Sequence, residues 1–254
     1  MDIKLFDANC SIGKRFSAEG PDTSHRNDIL GIMDKKGIDM ALVYHVMAKE
    51  NYLMEGNTRI VEETSKKPRL LPCWVVMPHY SGEFVKPAEL FGLMKAYGVK
   101  AVRVFPVYHR INLYTWLWEE LFSMLAYHGI PVFIDFSNSG WSQDIDWDGI
   151  HKICSSFPGL PVVLLRQGQV ADRYMYFLLD KHRNLYMETS YYQVNDGIRS
   201  LVARFGAERL VFGTGMPVYQ PDCPIDALLN SGIHEDDIRK IACSNLERIL
   251  GEVV

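Results

Sequence analysis

The chain has no run of about 18 apolar residues, so a membrane-crossing helix is not expected. It lacks paired cysteines too. Its five (Cys10, Cys73, Cys154, Cys223, Cys243) are odd in number and never spaced as CxxC, which argues against a disulfide frame or a structural zinc site and for reduced thiols in the cytoplasm. Positive charge is not in excess: 27 Lys and Arg stand against 31 Asp and Glu, for a net charge of -4. A nucleic-acid or anionic-membrane partner therefore has no support. The start, MDIKLFDAN, has no basic segment followed by an apolar stretch, so no signal peptide is expected. The GTGMP segment lacks the Lys-Ser/Thr of a phosphate loop. The acidic SQDIDWDG lacks the spacing and terminal acid of an EF-hand; a turn and helix cap is expected there instead. No linker or fixed-period repeat divides the chain, and one domain over residues 1–254 is expected.

What is present is an alternation of short apolar runs with amphipathic stretches. Eight strands are predicted: Ile3–Ala8, Met40–Tyr44, Leu71–Met77, Lys100–Phe105, Pro131–Phe136, Pro161–Leu165, Leu185–Glu188 and Arg209–Gly213. Most are β-branched or aromatic and nearly continuous in hydrophobicity, as parallel strands covered by helices should be. Between them lie helical patterns such as Leu113–His128, stopped by Gly129, and Asp236–Leu250, which opens on acidic residues and ends at Gly251. At 254 residues, close to the ~250 typical of the class, the pattern favours an α/β fold, a single (β/α)8 barrel, over an open doubly wound sheet. The long, weakly patterned stretches Cys10–Asp28 and Phe136–Trp147 each follow a strand, which in a barrel places them at the C-terminal mouth where active sites are built.

Several fragments carry a resemblance in the same order along the chain. FDANCSIG stands where a barrel family writes Asp-x-His-x-His-x-Gly. GNTRIVEETSKKPRLLPCWVVMP, GVKAVRVFP, HGIPVFIDF and PGLPVVLLRQG follow as further strands, RFGAERLVFGTGMP stands for Phe-Gly-Ser-Asp-x-Pro, and CSNLERILG closes the chain. The sequence resembles the amidohydrolase-related hydrolases and decarboxylases over almost its whole length. That resemblance implies a metal held by two histidines on the first strand, a histidine closing the fifth and an aspartate after the eighth that also acts as base, with a histidine closing the sixth as a catalytic or ligand residue. At those five positions this chain has Asn9, Ser11, Asp135, Arg166 and Gly215. Only Asp135 is a good ligand and Arg166 is a permanent cation, so no metal and no other cofactor is expected.

The expected replacement is electrostatic: Arg166 neutralised by Asp135 at the mouth, with Asn9 and Ser11 hydrogen-bonding around them. Strand alternation points Arg103 inward with Ala101 and Phe105, either to hold a ligand carboxylate or phosphate or to neutralise Asp135 or Glu188 inside the barrel. His45 and His79, just past the second and third strands, could each be a general base or a hydrogen-bonded loop histidine; His109 is a weaker candidate. Tyr44, Trp141, Tyr191, Tyr192 and Tyr219 could wall a pocket or pack loops. Cys10 should face away from Asn9 and Ser11, as a small buried residue. Two functions remain open. One is a metal-independent hydrolase or lyase for a small anionic, carboxylated substrate, with Asp135, Arg166, His45 and His79 as catalytic residues and Asn9, Ser11 and Arg103 binding substrate. The other is a catalytically inactive pseudoenzyme binding a small ligand or protein partner. The resemblance further suggests a homodimer formed through barrel-edge helices.

Overall fold

Every strand pair among the described residues is parallel. The computed structural model describes residues 3–14, 29–136, 145–251 and 253. Strands β1 (Phe6–Ile12), β2 (Met40–His45) and β3 (Leu70–Pro72) pair in that order, and β4 (Trp74–Val75), β5 (Val102–Val104), β6 (Val132–Asp135), β7 (Val162–Leu165), β8 (Leu185–Glu188) and β9 (Leu210–Val211) pair in theirs. The segments β3 and β4 are one barrel strand interrupted at Cys73: its N–H still bonds Val43 O at 2.8 Å, and Trp74 N–H bonds Ala101 O at 3.1 Å. Pro72, which has no N–H, ends the first half. Closure comes from Ala8 N–H on Phe212 O at 3.0 Å and Gly215 N–H on Asn9 O at 2.8 Å. Among the described residues this is the eight-stranded parallel barrel that the sequence pattern predicts.

Period-two alternation divides the core. Val102, Val104, Val132, Ile134, Val162, Leu164, Leu185 and Met187 face outward into the layer under the helices. Ala101, Phe105, Phe133, Val163, Leu165 and Val211 face inward. Arg103, between Val102 and Val104, therefore shares the inner face with Ala101 and Phe105, and Asp135 shares it with Phe133.

Two elements differ from the sequence reading. The first strand covers Phe6–Ile12 rather than Ile3–Ala8, with an irregular register between Asp7 and Cys10, because its polar end pairs with β2 as far as His45. Beyond the last strand, the single helix expected over Asp236–Leu250 is three pieces. A helix at Glu235–Arg239 gives way to a π turn at Lys240–Ser244 and then a helix at Asn245–Gly251. The cause is a contact with a distant segment: Asn245 Nδ2 donates to Ala207 O and Leu210 O, each at 2.8 Å, and Phe212 N–H reaches Ile241 O at 3.0 Å. Those bonds dock the widened turn onto the last strand, an arrangement that competes with regular i→i−4 pairing. The acidic segment before Trp147 does act as a cap, with Asp146 accepting from Gly149 N–H at 2.8 Å and Leu113 N–H at 3.2 Å. No helix of the described residues is long and apolar enough to cross a membrane.

Candidate functional site

Two buried carboxylates form the floor of the barrel mouth. Asp7 on β1 accepts from Asn9 N–H and Thr214 N–H, both at 2.9 Å, and from the Thr214 hydroxyl. Burial pushes its carboxyl up despite those bonds. Glu188, the last residue of β8, is wholly buried. Its Oε2 accepts from Arg166 N–H at 3.0 Å, Ser190 Oγ at 2.9 Å and Asn9 Nδ2 at 3.2 Å, and its Oε1 accepts from Ser190 N–H. Burial raises Glu188 to about 7, with the negative field of Asp7 adding to the rise. The packing leaves no slack, since a Cβ on Gly213 would lie 2.3 Å from Glu188 Oε1.

Above that floor sits a charged cup. The guanidinium of Arg103, 4% exposed, donates from one nitrogen to Asn9 Oδ1 at 2.8 Å and to Asp135 Oδ2. It lies 4.4 Å from the Tyr44 ring centroid and 5.1 Å from that of Phe105. Burial works to raise the Asp135 carboxyl, but Arg103, Arg166 and Lys49 overcome it and hold the group below the usual carboxylate range. Two polar atoms of the pair, Arg103 Nε and Asp135 Oδ1, are buried without a hydrogen-bond partner. Arg166 follows β7 with φ +59°; its guanidinium donates to the Tyr219 hydroxyl and lies 4.4 Å from the Tyr219 ring centroid and 5.8 Å from that of Tyr191. With Ser11, Tyr44, Lys49, Gly215 and Tyr219, these residues line a narrow cavity of ≈ 20 Å³ that opens at the mouth.

The family model described as amidohydrolase matches residues 25–251. The chain belongs to the amidohydrolase family. A search of curated proteins returns no match. Among solved structures, this amidohydrolase-family barrel is similar to an uncharacterised TIM-barrel protein from Bordetella bronchiseptica (17% identity, 98% of this chain and 99% of that one, TM-score 0.78). It is similar also to a 2,6-dihydroxybenzoate decarboxylase from Rhizobium (16%, 98% and 99%, TM-score 0.73). A third is a dihydroxybenzoic acid decarboxylase from a Polaromonas species, with bound manganese and the inhibitor 2-nitroresorcinol (14%, 98% and 97%, TM-score 0.74). At these identities the likeness is one of fold.

Against that family background, the residues singled out in the sequence fall into two groups. Asn9, Ser11, Arg103, Asp135 and Arg166 all line the cup. The expected partnership within it is corrected: Asp135 pairs with Arg103, not Arg166. The reason is backbone geometry, because Arg166 lies one residue past the end of β7 in a left-handed conformation, and its side chain leaves the strand's alternation for Tyr219. His45 and His79 are placed elsewhere. His45 Nδ1 accepts from Met47 N–H at 3.1 Å, as the cap of a short helix α1 at Val46–Glu50, and its Nε2 lies 3.5 Å from Glu63. His79 Nε2 lies 3.5 Å from Glu120, and its ring packs tilted against Tyr80 with centroids 4.3 Å apart. Neither is among the residues lining the cup. His109 bonds Lys49 O at 2.9 Å, and burial holds its imidazole below the usual range. Tyr192 is buried and donates to Asp172 at 2.9 Å, so it packs a loop, whereas Tyr44 and Tyr219 do wall the cup. Cys10 is buried in the outer layer as expected and also borders the cup beside Asn9. Trp141 lies outside the described residues. Sequence reasoning missed Lys49, and it weighed Glu188 only as a partner for Arg103.

Among the described residues, no group of three or more His, Cys, Asp or Glu side chains is arranged to hold a metal ion.

Proposed function

We propose that this barrel binds a small carboxylated molecule in its cup without a resident metal and acts on it as a lyase or hydrolase. The observation that carries the reading is the Arg103 guanidinium, which holds both Asn9 Oδ1 and Asp135 Oδ2. Those two oxygens stand at positions where the family resemblance implies metal ligands. Here a permanent cation already engages them, and a divalent ion at the same oxygens would meet direct repulsion. Ser11 adds a weak hydroxyl donor and Gly215 none, so the donor set does not fit a catalytic divalent metal. The same positive charge suits an anion. Arg166 presents a planar fork between two tyrosine rings, a surface matched to a carboxylate attached to a flat molecule.

The test uses the purified protein as it is. Metal content is measured first. Then thermal shift and calorimetry follow benzoate, 2,6-dihydroxybenzoate and a small lactone, with and without EDTA. Expected is binding of an aromatic carboxylate that ignores the chelator and weakens about 10-fold in Arg166→Met, the worth of a lost charge-assisted hydrogen bond. A stoichiometric transition metal, or binding abolished by chelator, overturns the reading.

The positions of His45 and His79 favour a second reading, in which the barrel binds its ligand without turnover. With both imidazoles engaged by carboxylates outside the cup, general-base duty falls to Asp135, whose ionised state is already stabilised by three cations. Tight binding with no product across the same panel would establish that form.

A further inference from the structure

A carboxylate site in this cup raises a question of room. At ≈ 20 Å³ the cavity holds little more than a single water, whereas a carboxylate brings two oxygens and a carbon. A side chain must therefore move when such a ligand enters. Most of the lining is fixed: Asn9, Ser11, Tyr44, Arg103 and Asp135 are buried, and Arg103 ties Asn9 to Asp135. Tyr219 differs. It is 40% exposed, and its hydroxyl accepts from the Arg166 guanidinium, the group proposed to receive the carboxylate. Its main chain is anchored, because its N–H donates to Gly215 O at 3.2 Å, so the freedom left to it is rotation of the side chain. Space for the ring lies on its other side. Tyr219 also borders a cleft of ≈ 220 Å³ whose lining includes Ile32, Met216, Pro217 and Pro221, and an apolar cavity of about 150 Å³ already accepts a benzene ring. The position over Arg166 depends on Gly215, since a Cβ there would lie 2.9 Å from Tyr219 Cδ2. An aspartate at 215, which the family resemblance implies, would meet the ring; glycine makes room for it.

We infer that Tyr219 is a gate on the cup: its ring covers Arg166 until a ligand carboxylate replaces the hydroxyl on the guanidinium, and then turns into the cleft beside the helix Ile29–Lys36. The inference rests on the carboxylate site proposed above. Each seat offers the ring a different contact. Over Arg166 it has the guanidinium 4.4 Å from its centroid and a hydrogen bond at its tip. In the cleft it would bury its face against Ile32, Pro217 and Pro221. The exchange on Arg166 favours an anion, because the tyrosine hydroxyl is a neutral acceptor, whereas a carboxylate is charged and can take two parallel N–H bonds from the fork. Displacing the hydroxyl has a cost, however. A ligand that binds only the open form has its affinity lowered by the fraction of molecules that are open, so a change that weakens the closed seat should tighten binding.

The experiment measures benzoate binding to the parent protein and to Tyr219→Phe by calorimetry in EDTA, and locates the ring in a crystal structure of the parent with benzoate. Tyr219→Phe keeps the ring and removes only the acceptor for Arg166. Expected is benzoate binding about three- to tenfold tighter in the variant, the worth of one modest hydrogen bond that the ligand no longer displaces. In the crystal, the benzoate carboxylate should lie on Arg166 and the Tyr219 ring in the cleft. Equal or weaker binding by the variant overturns the gate, and so does a bound benzoate with the Tyr219 hydroxyl still on Arg166. The crystal uses the unmodified sequence, so a folding defect in Tyr219→Phe leaves the test intact. The two proposals fail separately. Parent and variant binding benzoate alike defeats only the gate, whereas binding by neither defeats the carboxylate site and the gate with it. Binding by the variant alone supports a gate that stays shut against benzoate.

Discussion

Breaking the Arg103–Asp135 pair from one side should damage the protein far more than removing it whole. Both side chains are almost fully buried, at 4% and 2% exposed. Arg103→Met leaves Asp135 Oδ2 and Asn9 Oδ1 without their donor, and Asp135→Leu leaves the guanidinium without its carboxylate. An uncompensated buried charge costs about 3–5 kcal/mol. The double variant Arg103→Met/Asp135→Leu buries no such charge. Its methionine would rest among the Tyr44 and Phe105 rings that the guanidinium now faces, so its stability should fall within about 1–2 kcal/mol of the parent, the residue being the unmet Asn9 oxygen.

Urea unfolding at pH 7 measures all four corners of that cycle, and a coupling of several kcal/mol is expected. In thermal scans each single change should lower Tm by roughly 6–20 °C, using about 2–4 °C per kcal/mol for a chain of this size. The pH dependence has a definite sign. Because the Asp135 carboxyl is held below its unfolded value of 3.8, its contribution is present above that pH and is lost as pH falls through the folded value. The coupling should therefore persist at pH 5. Single variants that lose less than about 1 kcal/mol, or a double variant as unstable as the sum of the singles, would refute the claim that this pair holds the cup together.

Glu188 should give the opposite pH signature. Its carboxyl is raised from 4.5 to about 7, so the fold favours the protonated form. The resulting stability is fully present below the unfolded value and lost as pH rises to about 7, a change of roughly 3 kcal/mol. Glu188→Gln should flatten the stability curve across that window, and an unchanged slope would rule out Glu188 as its source. Two glycines make a matched pair of tests. Gly213→Ala drives a Cβ to 2.3 Å from Glu188 Oε1, on a carboxylate pinned by its donors, and should cost about 1–3 kcal/mol. Gly92→Ala, inside the helix Pro87–Tyr97 with nothing within 4 Å, should instead stabilise by about 0.5–1 kcal/mol. Chemical denaturation of both variants checks the contrast, which disappears if the two shift in the same direction.

The barrel was legible because parallel strands under helices write their burial directly into composition, and alternation correctly turned Arg103 inward between Val102 and Val104. Arg103 was among the partners the sequence offered for Asp135, but the choice of Arg166 over it was wrong, because the rule used for Arg166 fails one residue after β7. At φ +59° the chain has left the strand, and counting inward and outward positions no longer says where a side chain goes. Lys49 was hidden for a related reason. The helix that carries it spans only Val46–Glu50, too short to leave a periodic pattern, and a lysine there reads as a solvated charge until Phe105 and Tyr108 are seen beneath it. The π turn near the C-terminus depended on Asn245 finding two carbonyls on a distant segment, which no local window contains.

Exchanging a metal for a guanidinium changes which reactions the mouth of such a barrel can support. A divalent ion brings an open coordination position and lowers the pKa of the water it binds, the usual source of a hydrolytic nucleophile at neutral pH. A guanidinium spreads a single charge over a planar fork and has no vacant orbital for water, so it orients and neutralises anions without activating a nucleophile. If Arg103 is the resident cation, this cup is better suited to stabilising electrons released from a carboxylate than to delivering hydroxide. Carbon–carbon cleavage therefore ranks above hydrolysis within the proposed function.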